Sequence, residues 1–497
     1  MNNNIISVKI QENLKYFISI FATLILGVIL FNAQPATNMN LKLVLVALFL
    51  ISSCLVLFLP KRIDYAVVII VLIFGGISSL ISPINDVPDE TVHYARAVNI
   101  SEGDFNLNNN YNKVKVSEDV EKLSSQIHKT ILQTKFKNEK HSAKEKKFSD
   151  INGTNAYYVF SYIPQALAIK IGNTFNIGIV KTYFLGRLFN VIAYASLVFF
   201  ALRVTRKYRQ ILAVIALSPM CLYLSGSFNQ DSMANGLIIL AIALFINMLE
   251  RKSTGIRNGH LYLYYTVCTL LVFSKFTYVL LAFLPIFIPS RYFIEKTKMS
   301  SLVKRIFLTG LVMLIALTWF RLYGEIKTPY KAEFLKRVNS TSQLKSIFGH
   351  PIFYTRIIVR EMISQIISMK QLFTFGLLTY GMEEIFGLYT IFLIVVALNN
   401  ENKISLPRIT KLGIMLVVIG ITGLTVLAIY LTWTPVGEQT IIGIQSRYFI
   451  GLIPLILLLI SSSIKSSFSL KNKTVMVISI LFILSMLIKT LFQYYNL

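Results

Sequence analysis

Long runs of apolar residues recur from one end of this 497-residue chain to the other, separated by short polar breaks. Each run is close to the length that a helix needs to cross the hydrocarbon of a bilayer, about 17 to 25 residues. Composition points the same way: 55% of residues are hydrophobic and 14% charged, with a mean hydropathy of +0.63. No soluble globular domain averages so far toward the apolar side, so a bilayer has to be the solvent and a large soluble core is excluded.

Near-continuous apolar runs without interior charge predict an all-α polytopic membrane protein of about 13 transmembrane helices. They fall at 16–31, 41–59, 65–82, 177–202, 211–227, 233–249, 261–273, 276–288, 306–323, 384–398, 412–431, 448–460 and 474–491. The two runs that flank Lys275 are short, and two short helices meeting at a buried turn fit them equally well. The first run follows Lys9 and Lys15 as a signal peptide's would, but a second begins soon after it and its flanks lack a convincing cleavage site. It therefore reads as a retained span. Basic loops at 61–62, 203–209, 251–257, 291–305, 403–411 and 465–473 all fall on one side of this layout. The positive-inside bias makes that side the cytoplasm, with the amino terminus inside and the carboxyl terminus outside.

The net charge of +26 would ordinarily point to nucleic acid. Here the short loops on one side account for many of the cations, and no nucleic-acid partner is expected. Cys54, Cys221 and Cys268 lie inside apolar runs and read as small buried hydrophobes rather than a disulfide framework or zinc site. The sequence has no Gly-Lys-Ser/Thr phosphate loop, no His-Glu-x-x-His pair and no Cys-x-x-Cys motif. ATP hydrolysis, zinc proteolysis and thiol redox chemistry therefore have no visible apparatus.

Two segments on the external side, 83–177 and 324–383, far exceed the roughly 12 to 15 residues of ordinary structureless loops. They divide the chain into N-terminal spans at 1–83, an external loop at 84–176, a central bundle at 177–323, a second external segment at 324–383 and C-terminal spans at 384–497. Within the first loop, 88–100 reads as a helix, 106–150 is polar and Lys-rich, and 157–171 has the amphipathic pattern of a helix on the membrane surface.

The sharpest constellation runs from Asp86 to Arg96, immediately after the third span. Asp86 can cap a helix and Pro88 suits its first turn. At 3.6 residues per turn, Asp89, His93 and Arg96 share one face. A carboxylate placed there can deprotonate a hydroxyl or bind a divalent metal, and an Arg beyond it can take a phosphate. The plainer alternative is that Asp89 and Glu90 only favour the positive end of the helix dipole. Asp231 lies in a short external turn, where it can meet Asp89 or simply cap the next span. Lys275 interrupts an apolar stretch, which marks either a functional cation or an interfacial side chain that snorkels to water. Arg447 stands at the external edge of a late span, where the positive-inside bias does not explain it and an anionic ligand does.

An ordered series of short motifs extends these residues: Pro88-Asp89-Glu90 with His93 and Arg96, Tyr162-x-Pro164-Gln165-Ala166 before an Arg187-bearing span, Ser218-Pro219-Met220 leading to Ser227 and Asp231, Lys275 with Tyr278, and Gly443-x-Gln445-x-Arg447-Tyr448-Phe449. The series resembles a family of bacterial polytopic membrane proteins known as domain of unknown function 2142. That family is in turn similar in layout to the C-superfold (GT-C) glycosyltransferases, which take a sugar from a polyprenyl-phosphate carrier.

The resemblance implies that the acid of the first external loop, Asp89 with Glu90, is the catalytic base or metal ligand. A divalent cation, Mg or Mn, would then be shared by Asp89 and Asp231. His93, Arg96, Tyr162, Lys275, Gln445, Arg447 and Tyr448 would bind substrate, with Arg447 and Lys275 on the donor's phosphate. The expected partners are a polyprenyl-phosphate sugar donor, an envelope glycan or lipid-linked acceptor, and the lipid bilayer of a bacterial cytoplasmic membrane. Two extra spans before the acidic loop and the Lys-rich insert within it depart from the superfold's layout. A transporter or flippase for lipid-linked glycans would instead show internal repeats and charges at mid-membrane depth, and a glycan polymerase or ligase would lean on Arg and His more than on a carboxylate pair.

Overall fold

A computed structural model describes residues 2–31, 39–105, 113–142, 145–151, 153–294, 300–326, 333–464 and 468–495. Parts of the basic loops at 291–305 and 465–473 and of both external segments lie outside the described residues. Helices dominate, as backbone polar groups in hydrocarbon must be satisfied within the segment itself. Among the described residues, nine helices are long and apolar enough to cross a membrane: Ser7–Phe31, Asn40–Phe58, Ile63–Ile81, Ile179–Val204, Asp231–Glu250, Ser301–Leu322, Arg408–Thr432, Ser446–Ser463 and Asn472–Tyr494.

The remaining four apolar runs form shorter elements, for reasons that hydropathy does not register. Run 211–227 splits into Arg209–Ala216 and Pro219–Ser225, because Pro219 cannot donate to the preceding turn and the Ser218 hydroxyl caps the new helix at Cys221 N. The two short runs around Lys275 become Asn258–Val272 and a 3₁₀ helix, Phe276–Phe287, meeting at a turn. At a rise of about 2.0 Å per residue, the 3₁₀ helix extends roughly 24 Å, farther than an α-helix of equal length. Run 384–398 is the 13-residue helix Phe386–Leu398.

The chain also departs from a purely helical design. Lys113–Ser117 pairs antiparallel with Lys146–Asp150 in the insert, placing Val114 opposite Ser149 and Val116 opposite Lys147. Both valines are buried, an alternation that fits a half-covered strand. A second small pair joins Thr374–Phe375 to Tyr380–Gly381.

The bundle has two distinct poles. At one, Arg62 and Arg203 both reach Asp64, while Glu250 accepts from Thr205 Oγ1 and from the backbone N–H groups of Arg206 and Lys207. Gln210 there donates to Asn472 Oδ1 and to the Leu470 carbonyl, and accepts from Asn402. These bonds bring residues in or beside basic loops from five parts of the sequence together. The opposite pole carries the acidic loop, and Tyr494 near the end of the last helix reaches it.

Close packing near that pole depends on glycine. A Cβ on Gly226 would stand 2.9 Å from the Ser79 backbone nitrogen, so the turn before Asp231 lies directly against the end of Ile63–Ile81.

Candidate functional site

The acidic helix spans Glu90–Ser101. Its leading residue, Asp89, has a left-handed backbone (φ 65°) that Asp tolerates better than most residues. The Asp89 carbonyl accepts the first helical bonds, from Val92 N and His93 N, but its carboxylate caps nothing. Among the described residues that carboxylate has no hydrogen-bond or ion-pair partner, and Asp89 is exposed on the wall of a cavity of about 580 Å³. Asp86, expected as the cap, is instead fully buried and turned away from the helix start.

The cavity draws its walls from distant parts of the chain: Asp89 and His93, Tyr157, Asn229 to Asp231, Lys275 to Thr277, Thr425 to Trp433 and Arg447 with Tyr448. Opposite the acid lies a charged cluster. Lys275 Nζ donates to Asp231 Oδ1 at 2.8 Å, and Arg447 Nε stands 3.9 Å from Asp231 Oδ2. Lys275 and Arg447 lie 5.6 and 5.7 Å from the Tyr448 ring centre, so the ring touches both cations. The helix break between Val272 and Phe276 is what brings Lys275 to this wall, where the ammonium is paired rather than snorkelling. Asp231 lies inside its helix's first turn, and Asn229 Oδ1 accepts from Ser232 N in its place as cap.

Asp231 therefore balances one of two adjacent positive charges, leaving the cluster with a surplus cation facing an exposed carboxylate. An anion entering the cavity gains from both cations. A metal shared between Asp89 and Asp231 does not fit as well, since both Asp231 oxygens already face cations, and among the described residues no group of three or more His, Cys, Asp or Glu side chains stands ready to hold an ion.

His93 lines the cavity one turn after Asp89, and its Nδ1 lies 2.7 Å from the Tyr162 hydroxyl. Burial pushes its imidazole down to about 4, partly opposed by the charges of Asp89 and Asp231. The ring is thus neutral at physiological pH and bonds as a polar group. Because the folded value lies below the ordinary 6.5, the neutral ring's contribution is complete above about pH 6.5 and is lost as pH falls toward about 4. Thermal unfolding in detergent should show this acid loss, worth on the order of 3 kcal/mol, and His93→Gln should flatten it.

The other expected ligands sit apart. Tyr162 is buried behind His93, to which its hydroxyl is bonded. Arg96 does not share the Asp89 face: Asp89 is outside the helical register, and the guanidinium turns inward to Asn99 Oδ1 at 2.7 Å. Gln445 lines a separate cavity of about 10 Å³, room for one water, with Tyr223 and Arg447. Glu90 points away from the cavity altogether. Its two oxygens accept from Arg187 Nε and Nη2, each at 2.8 Å, and Oε1 also accepts from Phe228 N at 2.8 Å. Both members of this pair are fully enclosed, which makes Glu90 a packing residue.

Sequence reasoning missed the wall given by Thr425, Thr432 and Trp433. The two threonines, seven residues apart on a mostly apolar helix, were the available signal, since that spacing places them on one face.

No curated protein and no solved structure compared with the chain gives a match. A family model does match, over residues 72–459, and its description is that of a predicted membrane protein. The matched stretch contains every wall of the cavity, from Pro88 to Tyr448. On that match, which covers well over half its length, the chain belongs to the DUF2142 family of membrane proteins.

Proposed function

We propose that this chain is a GT-C-like inverting glycosyltransferase of the bacterial cytoplasmic membrane, acting on the external face with its amino terminus in the cytoplasm and its carboxyl terminus outside. The donor is a polyprenyl-phosphate-linked sugar and the acceptor an envelope glycan or lipid-linked glycan. One observation carries the reading: Asp89, a carboxylate without a hydrogen-bond or ion-pair partner among the described residues, shares a cavity with two cations beside Asp231.

In this reaction Asp89 takes the proton from an acceptor hydroxyl, and the oxygen attacks the anomeric carbon. The bond from that carbon to the phosphate oxygen breaks, and polyprenyl phosphate leaves with the bonding pair. Lys275 and Arg447 meet the charge that develops on the phosphate, and Tyr448 keeps them close together. The apolar faces of Arg408–Thr432 and Phe276–Phe287 offer the isoprenoid a lipid-like surface.

The test is purified protein in liposomes with a labelled polyprenyl-phosphate sugar and an envelope glycan acceptor. Transfer or hydrolysis of the sugar supports the reading. Movement of the intact donor between leaflets without bond cleavage would identify a transporter instead. Lys275→Met should weaken donor binding by about 10- to 100-fold, the usual worth of a charge-assisted hydrogen bond, as measured by titration with polyprenyl phosphate. Unchanged affinity would remove the phosphate from this wall.

A further inference from the structure

The loop that delivers Asp89 to the cavity is held from behind by a carboxylate that the proposed reaction does not use. Asp86 is fully buried, and its oxygens gather side chains from four parts of the chain. Oδ2 accepts from the hydroxyls of Tyr223 at 2.7 Å and Tyr380 at 3.2 Å, and Oδ1 accepts from that of Tyr494 at 2.5 Å. His128 Nδ1 stands 3.3 Å from Oδ1, and its ring stacks on Tyr494 with an interplanar angle of 13°. Tyr223 comes from Pro219–Ser225, Tyr380 from the small strand pair, Tyr494 from the last helix and His128 from the Lys-rich insert.

The backbone reinforces the clasp. Ile84 N donates to Lys129 O at 3.0 Å, and His128 N donates to Ile84 O at 2.9 Å. Asn85 (φ 56°) and His128 (φ 58°) both adopt the left-handed conformation. Asn and His take up that conformation more readily than most residues, which lets the chain turn sharply at both positions. A buried carboxylate also loses heavily if it leaves its donors, so the loop has one place to sit.

We propose that Asp86 is a positioning residue: its clasp with His128 and the three tyrosines fixes where Asp89 stands, so that the docking of the Lys-rich insert governs the reacting carboxylate. The role in catalysis rests on the glycosyl-transfer reading, but the geometry can be tested without it.

The side chains facing Asp86 are Tyr223, Tyr380, Tyr494 and His128, with the Glu90–Arg187 pair beyond them, joined through Tyr183 to Asn85. Phenols are uncharged near neutrality, which leaves His128 as the member whose charge changes there. Its bond to Asp86 raises its pKa above the ordinary 6.5. The charged clasp is therefore complete below about pH 6.5 and weakens as pH rises through the raised value.

The experiment uses full-length protein in membranes with Cys54→Ala, so that the remaining cysteines are buried. Asp89→Cys is labelled with a membrane-impermeant maleimide, and its rate is divided by that of Ser125→Cys, an exposed thiol on the insert. Adding Tyr494→Phe or His128→Gln should change this ratio by about fivefold or more, and Asp86→Asn should change it further. From about pH 6 to about pH 9 the ratio should drift with His128 present and stay flat in His128→Gln. An unchanged ratio in both milder variants, flat across pH, overturns the proposal even if Asp86→Asn fails to fold. With Asp89 intact, Tyr494→Phe should lower the transfer rate while leaving the affinity for polyprenyl phosphate unchanged. Changed labelling in a protein that transfers no sugar would sink the transferase reading and leave the clasp standing.

Discussion

Replacing Asp89 with Asn should leave a folded, membrane-inserted protein whose sugar transfer is slower by about 10² to 10⁴-fold, the usual worth of a general base. The two halves of that expectation come from separate observations. The carboxylate is exposed and unpartnered among the described residues, so its loss should move stability by no more than about 0.5 kcal/mol. Asn also suits the left-handed backbone at this position, as a β-branched residue would not. Affinity for polyprenyl phosphate should be preserved or increased, since Lys275 and Arg447 are untouched and a negative charge facing the phosphate is gone. Transfer assays and thermal unfolding on the same preparation provide the check. An Asn variant that transfers sugar at the parental rate would remove Asp89 from the chemistry.

The grouping of Asp89 with Asp231, Lys275 and Arg447 was legible in the sequence for a physical reason. Charged residues are rare beside hydrocarbon, and cations on the side opposite the basic loops need some other explanation. Arg447 is the plainest case. The membrane class was legible for a similar reason, because run length and composition are local properties.

Helical periodicity counted from Asp89 put Arg96 beside it, but Asp89 is left-handed and stands outside the helical register. Asp86 looked like a cap because its neighbours suit a helix start, yet its partners are tyrosines at 223, 380 and 494. No local pattern announces partners so distant. Hydropathy alone joins 211–227 into one run across the break at Pro219, and it does not announce the 3₁₀ path of Phe276–Phe287. Its residues are mostly apolar, and Pro285 inside it is the local departure from an ordinary α-helical sequence.

The contrast between Asp89 and its neighbour Glu90 gives the second large effect. Glu90→Ala should destabilise the protein by about 3 to 5 kcal/mol, the cost of stranding one member of a buried ion pair. Arg187 would keep its bonds to the carbonyls of Ser79, Ser82 and Pro83, but these supply dipoles and no countercharge. Arg187→Met should cost a similar amount, since Glu90 would keep Phe228 N as a donor but lose its countercharge. Removing both should cost less than the sum of the single changes, because no uncompensated charge remains, although the three carbonyls still lose their donor. A double-mutant cycle followed by thermal aggregation in detergent would measure that coupling. If Glu90→Gln proved as stable as the parent while transfer collapsed, Glu90 would have to take part in the reaction, and the enclosed pair would be a ground state that opens during turnover. The geometry argues otherwise: with both carboxylate oxygens taken and no access to solvent, Glu90 secures the end of Ile63–Ile81 and the start of Ile179–Val204 against the acidic loop, leaving its neighbour free to react.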